Sequence, residues 1–334
     1  MKKTFIIAEA GVNHNGNIDL AYKMVDEAVK SGADAVKFQT AVPELVMTEY
    51  ATKADYQITN TGESGSQIEM AKKIHLPLEA YKDLKAYCEK KGIMFLSTPF
   101  DMKSLELLIS FNMYCMKIPS GEITNYPYLK RIGQLNTNVI ISTGMATLAD
   151  IEACLNLIIS SGTDRENITV LHCTTEYPAP FEDVNLKAML TLKDAFHVKV
   201  GYSDHTPGIE ISVAAAAIGA TVIEKHFTLD KTMEGPDHVA SLEPHELAEM
   251  VKAIRNVDLA MGNGIKAVAS SEGKNMVIAR KSILAAREIK EGEEFTNENL
   301  IVKRPGSGIN PMRWNEVIGM KAKRSFSKDE IIEL

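Results

Sequence analysis

Eight times along this chain a short apolar run is followed by a loop and then by a stretch whose apolar residues have helical spacing. The runs are residues 5–8, 35–38, 93–96, 115–118, 139–141, 168–172, 198–201 and 221–224. Each is nearly continuous in hydrophobicity, as a strand covered on both faces must be, and strict alternation with helices calls for a parallel sheet. Amphipathic spacing predicts helices over residues 20–30, 78–90, 148–159, 186–195, 209–218 and 247–259, among others. Eight such units close into an α/β fold, a parallel (β/α)8 TIM barrel. The rival is a doubly wound open sheet, weakened because no GxGxxG follows the first run.

A barrel takes roughly 250 residues, and this chain has 334. We therefore read residues 1–265 as the barrel, 266–279 as a polar linker and 280–334 as a small second domain with strands over 281–286 and 301–303. Residues 41–75 are too many for an ordinary βα loop and read as a lid or substrate wall on the face where barrel enzymes work.

Each run ends in polar residues, and in a parallel barrel those eight carboxyl ends share one mouth. His205 and His226 follow neighbouring runs, so two imidazoles there can share one divalent cation, with water and substrate oxygens completing it. Mn²⁺ is our choice, with Mg²⁺ and Co²⁺ open; the plainer reading is that each histidine only caps a strand. His14 is a third candidate ligand or a loop hydrogen-bonder. Lys37 and Lys117 lie in apolar strand ends, where an ammonium needs a bound anion or a nearby carboxylate. Thr98, Ser120, Ser142 and Ser203, from four different ends, could ring a phosphate, although singly each is an ordinary turn residue. A Schiff-base lysine at Lys37 or Lys117 is the alternative use. Glu9, Glu122 and Asp237 are the carboxylates available for proton transfer or for sugar hydroxyls.

The formal net charge of −7 argues against a nucleic-acid-binding surface, so an anionic ligand must be held by a few placed groups. Four cysteines without a CxxC pair fit a reducing compartment. Glu9 cuts the first apolar run too short for a signal peptide, and no stretch approaches the ~20 apolar residues of a membrane span. The expected location is the cytoplasm.

Together these motifs resemble the sialic acid synthase family, the bacterial N-acetylneuraminate and legionaminate synthases. The resemblance runs through AEAGVNHNG at 8–16, KFQT at 37–40, LSTPFD at 96–101, KIPSGE at 117–122, ISTGM at 141–145, HCTTEYP at 172–178, GYSDHT at 201–206, EKHFTLD at 224–230 and GPDH at 235–238. The tail, with KRPGSGI at 303–309, is similar to the antifreeze-like (SAF, β-clip) domain that ends those enzymes. The resemblance implies a metal-dependent condensation of phosphoenolpyruvate with N-acetylmannosamine and water, giving N-acetylneuraminate and phosphate. Legionaminate synthesis from 2,4-diacetamido-2,4,6-trideoxymannose is the alternative acceptor chemistry. It further implies that His205 and His226 bind the metal, and that Lys37, Thr98, Lys117, Ser120, Ser142 and Ser203 hold phosphoenolpyruvate. Gln39, Glu122, Tyr177 and Asp237 would contact the sugar, with Glu9 near the reacting carbons. The tail domain would be swapped within a homodimer, bringing Arg304 to the partner's barrel and the N-acyl group. Two departures mark this chain: Thr175, beside Glu176, stands where some relatives carry asparagine, and Arg280 where some carry an aromatic residue.

Two rivals remain at this stage. A Schiff-base aldolase would use pyruvate without metal, and a carbohydrate-binding or ice-binding protein would show no turnover.

Overall fold

The computed structural model describes residues 3–61 and 66–334. Eight parallel strands form a nearly closed TIM barrel: β1 (Phe5–Gly11), β2 (Ala35–Thr40), β3 (Met94–Pro99), β4 (Cys115–Ile118), β5 (Asn138–Ser142), β6 (Ile168–Cys173), β7 (Lys199–Asp204) and β8 (Val222–His226). The hydrogen-bonded ladder runs β3-β2-β1-β8-β7-β6-β5-β4.

Most strands extend past the ends of their apolar runs. Backbone pairing is indifferent to side-chain polarity, and register carries the ladder through the polar ends. Glu9 stands level with Lys37 on one side and with His226 on the other, and Ser203 stands level with Glu224. The polar residues are thereby lined up around one rim.

Around the barrel lie α1 (Ile18–Ser31), α2 (Pro43–Val46), α3 (Asp55–Thr61), α4 (Gln67–Ile74), α5 (Ala80–Lys91), α6 (Met102–Ser110), α7 (Tyr126–Gly133), α8 (Leu148–Ser161), α9 (Lys187–Phe196), α10 (Glu210–Ala217) and α11 (Pro244–Ala260). Local signals set their ends. Asn17 accepts the Asp19 and Leu20 amides at the start of α1, and Thr147 with Asp150 forms a capping box on α8.

Two apolar layers follow from strand alternation. Ile6, Val36, Phe38 and Val170 point outward into the helix-covered core, while Ile7, Leu96, Ile140, Leu171 and Val222 fill the barrel floor. The long insertion after β2 is built from α2, α3 and α4, with residues 62–65 of that stretch outside the described part. It closes over the mouth: Asn60 Nδ2 donates to the Pro236 carbonyl at 2.7 Å, and the Tyr56 and Tyr177 ring centres lie 5.2 Å apart.

The chain divides into two compact units, Met1–Asn263 and Gly264–Leu334. The stretch read as linker carries α12 (Gly273–Ala279) within the second unit. There β9 (Ser282–Ala285) and β10 (Leu300–Lys303) pair antiparallel over a core that includes Ile283, Phe295, Leu300 and Phe326. Among the described residues no helix is long and apolar enough to cross a membrane.

Candidate active site

Four charged side chains from four strands meet at the barrel mouth, all at most 5% exposed: Glu9 of β1, Lys37 of β2, Lys117 of β4 and Glu224 of β8. Lys37 Nζ lies 2.8 Å from Glu9 Oε2 and 3.6 Å from Glu224 Oε2, and Lys117 Nζ lies 3.5 Å from Glu224 Oε1. Two ammonium groups and two carboxylates offset one another, as buried charges must. Hydroxyls complete the cluster. Lys37 donates to Thr98 Oγ1 at 3.0 Å, Lys117 to Ser142 Oγ at 2.7 Å, and Ser203 Oγ donates to Glu224 Oε1 at 3.1 Å.

The two carboxyls are pushed in opposite directions. Burial raises Glu9 well above the usual carboxylate range against the pull of Lys37. Burial pushes Glu224 the same way, but Lys117 and Lys37 overcome it and hold that group low. Lys37 stays an ammonium, because Glu224 and Glu9 outweigh its burial. Burial, assisted by the Lys37 charge, brings Lys117 down.

Beside this cluster the His205 and His226 ring centres are 5.6 Å apart. Nδ1–H of His205 donates to the Thr174 carbonyl at 2.5 Å, which leaves the Nε2 lone pair free apart from a long 3.5 Å contact with Ser203 Oγ. Nδ1 of His226 is buried without a hydrogen-bond partner among the described residues. Burial takes His205 down to about 4 and His226 well below its ordinary value, so both rings are neutral. Neutral, oriented imidazoles with an orphaned nitrogen fit a divalent cation. Among the described residues no three metal-ligating side chains gather, so such an ion would draw its other oxygens from water and substrate. His14 does not line the mouth; its Nδ1 accepts the Gly16 amide at 3.1 Å.

A cavity of about 350 Å³ opens above these groups. Of the site residues predicted from sequence in the first unit, all but His14 and Glu122 line it. Gln39 Nε2 donates to Glu9 Oε1 at 3.3 Å, and Ser120 Oγ accepts the Gly144 amide at 2.9 Å. Thr175 Oγ1 is buried and unpartnered, and only a glycine at 144 leaves it room: a Cβ there would stand 2.0 Å from that oxygen. The Tyr177 ring lies 4.2 Å from that of His205. Burial alone moves the Asp237 carboxyl up to about 6.

Glu122 follows β4 in a short 3-10 turn, Ser120–Glu122, where its carboxylate accepts Asn125 Nδ2 at 2.5 Å and does not line the cavity. Arg304 belongs to the second unit, where its Nε donates to the Ala279 carbonyl at 3.0 Å. Glu224 is the group that motif reading passed over. The signal was present, since Glu224 lies two residues before His226 on one strand and must share its inward face.

The TIM barrel with a buried ion cluster beside two neutral histidines is that of an enzyme, a transferase of the sialic acid synthase type. The chain belongs to the NeuB family, whose model matches residues 24–266, and residues 280–333 match the SAF domain. It is 55% identical over 332 residues to the N,N'-diacetyllegionaminic acid synthase of Campylobacter jejuni, covering 99% of each chain. The enzyme of that name from Legionella pneumophila is 43% identical over 97% of this chain and 91% of its own. Among solved structures, the N-acetylneuraminic acid synthetase of Leptospira borgpetersenii in complex with citrate superposes with a TM-score of 0.73 at 35% identity, covering 82% of this chain and 90% of that one.

Proposed function

We propose that this enzyme condenses phosphoenolpyruvate with 2,4-diacetamido-2,4,6-trideoxymannose and water, giving N,N'-diacetyllegionaminate and phosphate. The observation that carries the chemistry is the Lys37, Glu9, Glu224 and Lys117 cluster, ringed by hydroxyls and placed beside two neutral imidazoles. The acceptor rests on the two legionaminic acid synthases matched over nearly the whole chain, and N-acetylmannosamine becomes the second reading.

Phosphoenolpyruvate is held by Lys37 and Lys117 with the hydroxyls of Thr98, Ser120, Ser142, Thr175 and Ser203. An anion drawn to Lys37 competes with Glu9, and the raised proton affinity of Glu9 lets that carboxyl take a proton rather than remain a stranded charge. Gln39, Tyr177 and Asp237 orient the open-chain sugar with its aldehyde toward the histidines. His205 and His226 would hold a divalent metal, Mn²⁺ by preference, and such an ion supplies Lewis-acid polarisation of the aldehyde.

The phosphoenolpyruvate methylene bonds to the aldehyde carbon, the aldehyde oxygen takes the proton held by Glu9 and leaves that group a carboxylate, and positive charge develops at the enol carbon. Glu224, held ionised by two lysines, lies where it opposes that charge. Water adds to the enol carbon and gives its proton to Glu9, after which the carbon–oxygen bond to phosphate breaks. The reading includes a cytoplasmic homodimer in which Arg304 of one subunit reaches the other's sugar. Mixed dimers of R304A and H205A chains would then recover activity in one of their two sites.

The deciding experiment is phosphate release after metal stripping and after Mn²⁺ is restored, with each sugar supplied separately and the product weighed. Metal-dependent release with the diacetamido sugar is expected. Borohydride trapping of pyruvate on a lysine, with no metal requirement, would instead establish the aldolase.

A further inference from the structure

We infer that the insertion after β2 reads the far end of the acceptor sugar, and that its helical wall selects a 6-deoxy carbon over a 6-hydroxymethyl group. The inference rests on the synthase reading above and adds the residues that make the choice.

Helices α2 and α4 pair as a two-faced wall. Their solvent face carries the Lys72–Glu44 ion pair at 2.7 Å, with both partners about half exposed. The opposite face turns Val46, Met47, Met70, Ala71 and Ile74 to the cavity. Positions 70, 71 and 74 share one helix face by their spacing. None of these five side chains can donate or accept a conventional hydrogen bond, and all but Ala71 are only half-buried, so apolar surface is left for a ligand to cover; the polar neighbours on the same lining are Gln67, one turn earlier on α4, and His75 just after it.

The wall is also held in place before any ligand arrives. The carboxyl end of α4 packs so tightly on the first barrel loop that a Cβ on Gly16 would stand 2.5 Å from the Lys73 carbonyl. At the other root of the insertion, the Val42 amide donates to Asp101 Oδ2 at 2.8 Å.

Orientation follows from the chemistry. The aldehyde carbon must sit over the ion cluster and histidines at the cavity's base, so C4 to C6 point outward to the rim, where the insertion begins at the carboxyl end of β2. A 6-hydroxyl set against the Met70, Ala71 and Ile74 patch gives up its water and receives no partner from those side chains, whereas a methyl is buried with gain. Discrimination by such an apolar pocket is on the order of 10- to 100-fold.

The test is kcat/KM for phosphate release with 2,4-diacetamido-2,4,6-trideoxymannose and with its 6-hydroxy analogue. The native enzyme should favour the deoxy sugar about 10- to 100-fold. Met70→Gln and Ile74→Thr should each narrow that ratio at least about fivefold, chiefly by losing the deoxy substrate, while Ile74→Val keeps it. Phosphoenolpyruvate affinity, measured by calorimetry, should be unchanged in all three and shows that the base of the site is intact. Phosphate release with a native ratio near one, or variants that lower both sugars by the same factor, would overturn the wall's role and leave the synthase reading standing. No release with either sugar, despite bound phosphoenolpyruvate, would overturn both.

Discussion

The floor and the mouth of this barrel are made by the same strands, two residues apart. Ile7, Ala35, Leu96, Cys115, Ile140 and Val222 form the floor. Two positions further along stand Glu9, Lys37, Thr98, Lys117, Ser142 and Glu224. A step of two residues returns to the same face after roughly 7 Å, so the interior passes from hydrocarbon to an ion cluster within one layer. The floor has nothing to give a substrate, and the mouth gives up hydrophobic burial to hold four charges. Stability and chemistry are thus separated along the barrel axis, and each layer can be attacked alone.

The largest effect should come from the mouth. Lys117→Met removes one of the two ammonium groups proposed to hold phosphoenolpyruvate, so phosphate release should fall on the order of a thousandfold, and it leaves Glu224 buried with one lysine instead of two, at a separate stability cost of about 3–5 kcal/mol. Steady-state assays decide it, and a loss under tenfold would remove Lys117 from the reaction. In the floor, Leu171→Ala should lower unfolding free energy by about 3–4 kcal/mol with phosphoenolpyruvate affinity unchanged. Denaturant titration beside calorimetry checks both halves; weakened affinity would show that the layers are not independent.

Asp237 tests the mouth through pH. Its folded value of about 6 lies above the usual 3.8, so the folded state binds the extra proton more tightly. Its contribution to stability is fully present below about pH 4 and is lost as pH rises through about 6, an effect of up to about 3 kcal/mol. Asp237→Asn should flatten that part of the stability profile, and an identical slope in the variant would contradict the burial that causes the shift. The smallest effect lies outside both layers. Lys72→Ala removes an exposed pair on the insertion's solvent face and should leave the melting temperature unchanged within error.

Where the sequence could be read, a local periodicity carried the signal. Strand runs such as 115–118 and helices such as α8 declare themselves by apolar spacing and caps. The strand ends were read short for the same reason: β7 continues through Ser203 and Asp204, polar residues whose backbone pairing leaves no mark on a hydropathy pattern. Lys37, Lys117, His205 and His226 stood out as polar residues interrupting or ending buried strands. Glu122 had the same local setting beside Gly121, and its hydrogen bond with Asn125, made across a 3-10 turn, left no mark on the hydropathy pattern.

By itself the sequence determined an alternating parallel architecture and a ring of polar strand ends, because both depend on neighbours within a few residues. Only the tertiary structure decided which charges meet. Lys117 and Glu224 lie on β4 and β8, far apart in the ladder, and face each other at 3.5 Å because the sheet curls into a barrel. That closure makes Glu224 a partner of both lysines, and it leaves Glu9 as the carboxyl that burial pushes toward a proton.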